Sequence, residues 1–372
     1  MHLQLLFFFF SFFFSNSVSY LLTLIHSLMS APTKTYIQCN PLLDISAAVD
    51  DAFFVKYKVS KAAASLVTEE QAGIYAELEQ QPNVTYVPGG SGLNTARVAQ
   101  WIAQPKEEFI SYVGCVADDK YGKILKDSAE KDGVKMVLEH TTKAPTGSCA
   151  VCISGKERSL VANLAAANCL SQEHMNSPEV AKALEGSKLF YLTGFTLTID
   201  VNYVIQVAEA ARKAGGLFMM NLSAPFIIQF FTENLNKVLP YVDVLFSNDD
   251  EASVLAKTFQ WEDVPTVADI AKKAAKDLPY NGTGKRLVVF TQGSNPTVWA
   301  TSEESGSVEV TPIATDKIVD TNGAGDAFVG GFLAAYALQK PVNRCCEVGN
   351  YAAGVIIQHD GCTFPEKPAL SP

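Results

Sequence analysis

Ile318-Val-Asp-Thr-Asn-Gly-Ala-Gly-Asp-Ala-Phe-Val-Gly-Gly-Phe332 is the stretch that decides the fold of this chain. It begins as an apolar strand end and turns through a glycine-rich loop. It then continues with Phe328, Phe332 and Tyr336 four positions apart, which predicts a helix. A glycine loop that opens a helix collects unpaired backbone N–H groups at the positive end of the helix dipole, and such a site binds anions.

Asp326 follows this loop, so its carboxylate is expected at the mouth of the anion site. A carboxylate repels a bound phosphate, and the position therefore suggests a proton acceptor rather than a phosphate ligand. The alternative is that Asp326 only caps the helix, which would be preferred for an isolated Gly-x-Gly-Asp. The preceding Asp320-Thr321-Asn322 and the close-packing pair Gly330-Gly331 make the whole run far more specific.

The run resembles the C-terminal signature of the ribokinase-like (PfkB) carbohydrate and nucleoside kinases. Two further runs, Asn221-Leu-Ser-Ala-Pro-Phe226 and Gly361-Cys-Thr-Phe-Pro365, resemble the adenosine kinases within that family. The resemblance covers about everything after Met29. It implies that Gly323, Ala324 and Gly325 form the anion hole and that Asp326 takes the proton from the substrate hydroxyl.

The composition is that of a globular protein, because 48% of the 372 residues are hydrophobic and 18% are charged. The net charge of −10 argues against a nucleic-acid backbone as the main partner, although a nucleotide in a local pocket remains compatible with it. Most of the eight cysteines lie in apolar surroundings, which fits reduced thiols in an intracellular protein. Cys149 and Cys152 have redox or zinc spacing, but no second pair completes a site, so core cysteines are the favoured interpretation.

Residues 1–28 do not match the rest of the chain. The Leu- and Phe-rich run from Leu5 to Phe14 is short for a membrane span, and no basic residue precedes it as in a signal peptide. We therefore place this extension outside the fold, as a gene-model artefact with translation starting at Met29 or as a targeting segment. We expect a cytoplasmic protein that does not bind a membrane.

Apolar strands alternate with helical patterns from residue 189 onward. The predicted strands are 189–193, 217–220, 242–247 and 287–292, and the helix at 201–214 ends at Gly215-Gly216. This alternation predicts an α/β fold with a doubly wound, mostly parallel sheet and helices on both faces. Ligands bind beyond the carboxyl ends of the strands in such sheets, where the candidate polar groups fall.

We expect one kinase domain, residues 29–372, with a small β-rich lid formed by segments near 42–68 and 143–168. Residues 67–78 read as a helix. The runs at 145–153 and 158–168 predict a hairpin with one apolar face, which resembles the lid of the family. Arg158 in this hairpin would usually be an exposed arginine at a strand edge. The resemblance implies instead that it approaches the transferred phosphate, which suits its fork geometry.

Polar residues and glycines occur at two places, just after the first strand and in a second glycine loop near residue 90. Carboxylate and amide groups at such positions can hydrogen-bond a diol, although an Asx turn before Pro41 or a plain Gly-Gly turn would explain them alone. The resemblance implies that they hold the ribose of a nucleoside. These residues are Asn40, Asp44, Gly89, Gly90, Ser91 and Asn94.

An apolar set matches positions that sandwich a purine in the adenosine kinases, and a free sugar would leave these surfaces unused. The set is Leu42, Leu66, Cys152, Leu164 and Phe195. Two positions depart from the pattern of the family. Cys39 stands where the family usually has Gly, and Thr196 stands where relatives often have a second aromatic residue.

Asn248 and Glu251 fit an Asn-x-x-Glu pattern at a helix start, which alone is an ordinary N-cap with acidic residues in the first turn. The resemblance implies that both set up a Mg²⁺ site, largely through water. It also implies ATP as the phosphoryl donor. The residues expected to bind ATP are Asn221, Asn248, Thr291, Gly293, Gly323 and Gly325.

The resulting hypothesis is ATP-dependent phosphorylation of the adenosine 5′-hydroxyl by a monomer, giving AMP and ADP. A ribokinase-like sugar kinase and a catalytically inactive nucleoside-binding protein are the alternatives. A dinucleotide-binding dehydrogenase is weaker, because its glycine motif belongs in an early βα turn. No Walker-type motif and no protein-kinase signature is present in the sequence.

Overall fold

The computed structural model describes residues 31–61, 63–105, 108–155 and 157–372. The predicted amino-terminal extension, residues 1–28, lies outside these ranges. Among the helices of the described ranges, none is both long and apolar enough to cross a membrane.

A nine-stranded sheet forms the centre of the molecule. Its strand order is β14-β13-β12-β11-β10-β9-β1-β5-β6, and all pairs from β12 to β6 are parallel, whereas β13 and β14 at one edge are antiparallel. The predicted fold class is confirmed. The strands of this sheet are β1 (Thr35–Gln38), β5 (Ile110–Ala117), β6 (Lys135–Thr141), β9 (Leu189–Thr193), β10 (Leu217–Asn221), β11 (Val244–Asn248), β12 (Leu287–Gln292), β13 (Asn295–Ala300) and β14 (Ser305–Val308).

Both faces of this sheet are buried. Consecutive side chains of a strand point to opposite sides, and each side packs into its own hydrophobic core. Tyr36 packs into one hydrophobic core and the adjacent Ile37 into the other. Phe290 and Val289 divide in the same way. This explains why the strands read as continuous apolar runs in the sequence.

Helices cover the two faces and join the strands. They are α1 (Asp51–Lys56), α2 (Ile74–Leu78), α3 (Ser91–Ala103), α4 (Lys120–Lys131), α5 (Gln172–Met175), α6 (Pro178–Gly186), α7 (Val201–Ala214), α8 (Pro225–Phe230), α9 (Thr232–Val238), α10 (Asp249–Thr258), α11 (Val267–Asp277), α12 (Ala324–Ala337) and α13 (Val342–Ile356). Short 3₁₀ turns span Glu69–Gln71, Ala165–Cys169, Gly194–Thr198, Leu239–Tyr241 and Thr315–Lys317.

One predicted helix is wrong in extent. Residues 67–78 contain a 3₁₀ turn, Glu69–Gln71, and the short α2, which begins after Gly73. Gly73 packs against the ring of Tyr57, where an added Cβ would lie 3.4 Å from its hydroxyl oxygen. The tertiary contact and the low helix propensity of glycine explain why the helix does not run through.

A second sheet, called the lid sheet or lid below because it contains the segments predicted to form one, has the order β3-β8-β7-β2-β4. Its strands are β2 (Leu42–Ala48), β3 (Ala64–Leu66), β4 (Thr85–Gly89), β7 (Ser148–Ser154) and β8 (Glu157–Asn163). Strand β4 lies outside the two segments assigned to the lid from the sequence. The antiparallel pairing of β7 with β8 is the predicted hairpin.

Candidate active site

A cavity of about 470 Å³ lies between the lid sheet and the strand ends of the central sheet. Strands β10, β11 and β12 present Asn221, Asn248 and Thr291 to it from their carboxyl ends. The lid contributes Leu42 and Asp44 from β2. The sequence-predicted groups from both parts of the molecule therefore meet in one place, at the edge where parallel sheets bind ligands.

The second wall of the cavity is the loop that opens α12. Gly323 has a positive φ of 77° at the N-cap position, a conformation that side chains rarely adopt, and α12 begins at Ala324. Gly323 and Gly325 line the cavity, and an added Cβ at Gly325 would meet no atom within 4 Å. The start of a helix with open space in front of it is a suitable anion site.

Asp326 does not cap α12, because its side chain reaches across to α3. Ser91 donates to one carboxylate oxygen at 2.6 Å, and Asn94 Nδ2 donates to the other at 3.0 Å. The carboxylate also lines the cavity. Burial raises the pKa of Asp326, and these two hydrogen bonds offset part of that rise. A half-buried carboxylate whose two oxygens are held by two donors can accept a proton from a group in the cavity.

Asp44 lies opposite, on the lid, and Gly89 and Gly90 make room for its strand. An added Cβ at Gly89 would lie 2.4 Å from the Asp44 carboxyl carbon, and one at Gly90 would lie 2.3 Å from the carbonyl oxygen of Asn40. Burial, with the charge of Asp326 nearby, raises the pKa of Asp44 to about 7. The close approach of β2 and β4 thus requires both glycines.

Asn40 and Asn94 each retain a buried side-chain oxygen without a hydrogen-bond partner. The amide nitrogen of Asn40 donates to Asn168 at 2.8 Å, and that of Asn94 donates to Asp326. Buried acceptors are usually satisfied, so an unpaired one at a cavity wall is suited to accept from a ligand. Asn94 lines the cavity and offers such an oxygen, whereas Asn40 is absent from the lining.

Asn248 and Glu251 form a reciprocal capping box at the start of α10. The Glu251 N–H donates to Asn248 Oδ1 at 2.8 Å, and the Glu251 carboxylate accepts from the backbone and side chain of Asn248 at 3.2 and 3.1 Å. Both line the cavity, and burial raises the pKa of Glu251 to about 7. The ordinary capping interpretation therefore holds, and the same side chains also face the cavity.

The predicted purine set is divided by the structure. Leu42 and Phe195 line the cavity, but Cys152 is fully buried in the separate core of the lid with Ile45 and Ala150. Leu66 is 53% exposed at the edge strand β3. Leu164 follows β8 and is likewise absent from the lining of the cavity.

Strand alternation explains what the sequence analysis missed. On β7, Cys149 and Val151 face the cavity while Cys152 faces the lid core, and on β8 the cavity face carries Leu160 and Ala162. Applying the period of two to β7 and β8 would have found these residues, once one member of each strand had been placed.

Arg158 is not an exposed arginine at a strand edge, because only 6% of its side chain is accessible. Its Nε lies 3.1 Å from Asp320 Oδ2, and its Nη2 lies 2.8 Å from Asp360 Oδ1. Asp320, which begins the loop before α12, lines the cavity and received no role from the sequence. The predicted approach of Arg158 to a transferred phosphate stays a prediction.

Three remaining predicted residues contribute in other ways. Asn221 Oδ1 accepts hydrogen bonds from the backbone of Gly194 and from Ser223. Gly293 turns the chain after β12 with φ 58° and does not line the cavity. Thr196, the departure at the base wall, is 1% exposed and donates to the Thr193 carbonyl oxygen, so it faces the interior.

The charged side chains that line the cavity are acidic. Asp44, Glu251, Asp320 and Asp326 line it, and no Lys or Arg is among the described residues of its lining. The described residues also hold no cluster of three or more His, Cys, Asp or Glu side chains that could bind a metal ion. A polyanionic ligand therefore meets acidic side chains and no basic one among the described residues of the lining.

The chain matches the family model described as pfkB family carbohydrate kinase over residues 59–369. Adenosine kinase 2 of Arabidopsis thaliana is 43% identical over 329 residues, which cover 88% of this chain and 95% of the relative. The structure of Trypanosoma brucei brucei adenosine kinase without ligand is 55% identical and superposes with a TM-score of 0.85, covering 88% of this chain and 100% of that chain.

A further solved structure is Anopheles gambiae adenosine kinase in complex with P1,P4-di(adenosine-5) tetraphosphate. It is 42% identical, with a TM-score of 0.84, and the match covers 90% of this chain and 98% of that chain.

Proposed function

Because the chain belongs to the pfkB family of carbohydrate kinases, we propose that it transfers the γ-phosphoryl group of ATP to the 5′-hydroxyl of adenosine, giving AMP and ADP. The observation that carries this proposal is the position of Asp326, a half-buried carboxylate between the helix-opening glycine loop and the polar groups of α3. The similarity to adenosine kinases over most of the chain supports a nucleoside rather than a free sugar as the acceptor.

The nucleoside side of the cavity is formed by the lid and the start of α3. Asp44 can accept two hydrogen bonds from the ribose diol, and Asn94 Oδ1 offers an unpaired acceptor beside it. Leu42, Phe195 and the cavity face of β7 provide apolar surface for the base. Binding of a substrate between these groups would place its hydroxyl toward Asp326.

The phosphate side is formed by the loop at residues 323–325. Gly323 and Gly325 line the cavity at the start of α12, where their N–H groups can stabilise charge that develops on the transferred phosphoryl oxygens. The N–H of Ala324 instead donates to the Thr321 carbonyl oxygen at 3.3 Å, and Ala324 is absent from the lining. The Anopheles gambiae relative was solved with a ligand that carries two adenosine groups joined by phosphates, which is compatible with a nucleoside side and a nucleotide side in this cavity. Asn221, Asn248 and Thr291 form the wall on the ATP side.

Asp326 then accepts the proton of the attacking hydroxyl. Phosphoryl transfer through a loose transition state needs little deprotonation before attack, so a carboxylate with a modestly raised pKa suffices. Ser91 and Asn94 hold its two oxygens at fixed positions, and positioning of this kind supplies much of the rate enhancement.

The residues of the ATP side fit a magnesium ion held largely through water. Glu251 offers a buried carboxylate at the cavity wall and Asn248 fixes its orientation, while no protein cluster could hold a metal alone within the described ranges. When bound with ATP, Mg²⁺ would neutralise phosphate charge at this wall of the cavity.

We also propose that the protein acts as a cytoplasmic monomer and binds neither nucleic acid nor membrane. The net charge of −10 and the acidic cavity support the first exclusion. The described chain contains eight free cysteines, seven of them buried, which supports a reducing compartment. Light scattering of the purified protein tests the monomer.

The experiment that tests the function is ADP production by residues 29–372 with MgATP and, in parallel, adenosine, inosine, guanosine, ribose or fructose. Adenosine-dependent turnover is expected, and Asp326→Ala is expected to reduce kcat by roughly a thousandfold or more. Adenosine binding, measured by calorimetry, confirms that the variant is folded.

Each other outcome selects a different function. Turnover with ribose or fructose alone would identify a sugar kinase and contradict the base pocket. Tight adenosine binding without turnover would identify a nucleoside-binding protein. Equal turnover by the wild type and Asp326→Ala would remove the proposed proton acceptor.

A further inference from the structure

The ion pair between Arg158 and Asp320 joins the lid to the loop before α12, and we propose that Asp320 is a positioning residue that couples the anion-binding loop to the lid. The proposal deepens the proposed function and rests on it for the meaning of the loop. It assigns a task to a buried carboxylate of the cavity that the transfer chemistry itself does not use.

Asp320 holds the loop from the inside. Its side chain is 4% accessible, and Oδ1 accepts hydrogen bonds from both the backbone and the side-chain amide of Asn322 at 2.9 Å. Oδ2 accepts from the Gly361 backbone at 3.3 Å. One carboxylate therefore fixes the turn that leads to Gly323 and ties it to the segment after α13.

Arg158 supplies the charge that Asp320 needs. Its Nε lies 3.1 Å from Asp320 Oδ2, and its Nη1 donates to the carbonyl oxygen of Val319 at 2.6 Å. Arg158 belongs to β8, whose neighbouring positions Leu160 and Ala162 face the cavity, and it points from the lid toward the central domain. The pair thus spans the two parts of the molecule that enclose the substrate.

The two ion pairs of Arg158 differ in how much their loss costs. When one partner of a buried pair is removed, the other is left as an uncompensated charge, which is far more costly than the loss of an exposed pair. Asp360 contacts the same guanidinium at 2.8 Å, but its side chain is 51% accessible, so water can replace it. A movement of the lid that takes Arg158 away therefore disturbs Asp320 and the loop. Asp360 contacts the same guanidinium from the solvent side, so its loss is a control for the loss of Asp320.

The test is a double-mutant cycle with Arg158→Gln, Asp320→Asn and the double variant, with Asp360→Asn as the control. Asp320→Asn keeps an oxygen for Asn322 but removes the charge. We expect each single variant to lower kcat for adenosine with little change in KM, and the double variant to be no worse than the poorer single one. The kcat of the double variant should then be roughly tenfold or more above the value expected from multiplying the two single effects. Asp360→Asn alone should lower kcat by less than about threefold.

Amide hydrogen exchange gives a second readout that needs no enzymatic activity. In Arg158→Gln, exchange at residues 321–325 is expected to accelerate roughly tenfold or more, although the mutation lies in the lid. In Asp360→Asn it should match the wild type.

Additive effects on kcat, together with unchanged exchange at 321–325 in Arg158→Gln, would overturn the coupling and leave a merely structural pair. If the wild type lacked adenosine turnover, the proposed function would fail, but the exchange measurement would still decide the coupling.

Discussion

Two glycine loops border the cavity, and a methyl group would meet different surroundings in each. At Gly89 and Gly90 it would lie 2.4 Å from the Asp44 carboxyl carbon and 2.3 Å from the Asn40 carbonyl oxygen. At Gly323 the nearest atom would be 3.9 Å away, and at Gly325 none lies within 4 Å. The first loop uses glycine to bring protein groups together, and the second uses it to leave space for a ligand.

Asp326 joins the two loops. It follows the second loop in the chain, and its carboxylate accepts hydrogen bonds from Ser91 and Asn94, which follow the first. A change in the packed loop should therefore damage folding and the site together, whereas a change in the open loop should damage only the chemistry.

The largest expected effect is that of Gly90→Ala. The methyl group would overlap the Asn40 carbonyl oxygen at a residue with φ 89°, so the free energy of unfolding should fall by roughly 3 kcal/mol or more. Urea denaturation measures it. Gly155→Ala is the matched control, because Gly155 also has a positive φ of 62° but no atom near its added methyl group.

Gly155→Ala should lose about 1 kcal/mol, the cost of the backbone conformation alone. Equal losses in the two variants would show that the first loop is not packed as described.

The next effect is that of Gly325→Ala, which separates chemistry from folding. The methyl group projects into the space expected for the phosphoryl oxygens, so kcat should fall by about a hundredfold, comparable to the loss of one oxyanion donor. Stability should stay equal or rise slightly, since alanine favours a helix over glycine. Thermal unfolding, adenosine affinity and steady-state rates measure the three quantities, and a large loss of stability would contradict the open loop.

The last expected effect is the pH dependence of stability. Burial raises the pKa of Asp44 and of Glu251 to about 7, so the folded state holds protons between pH 4 and 7 that the unfolded state has released. Stability should therefore decline as pH rises through this window. Asp44→Asn should flatten the decline and raise Tm at pH 8, as a thermal scan between pH 5 and 8 would show. A stability that increased over this range in the wild type would contradict the burial of these carboxylates.

The sequence predicted the central sheet, both loops and the helix start at Asn248, since each depends on local pattern and on the rule for parallel strand ends. It could not predict the partner of Arg158, because Asp320 lies 162 positions further along the chain. It placed Cys152 in the base pocket, whereas the structure has the adjacent faces of β7 divided between cavity and lid core. Alternation identifies two faces, but only tertiary packing decides which one meets the ligand.

The acidic lining of the cavity has a consequence for the end of the reaction cycle. An uncharged nucleoside enters among four carboxylates without Coulombic repulsion, but a nucleoside monophosphate carries about two negative charges at neutral pH. Arg158 compensates Asp320, and burial raises the pKa of Asp44 and of Glu251 to about 7, so the remaining negative charge beside that phosphate is centred on Asp326 once it has released its proton. Like charges repel, and the side chain that accepts the proton would thus also favour departure of the phosphorylated product.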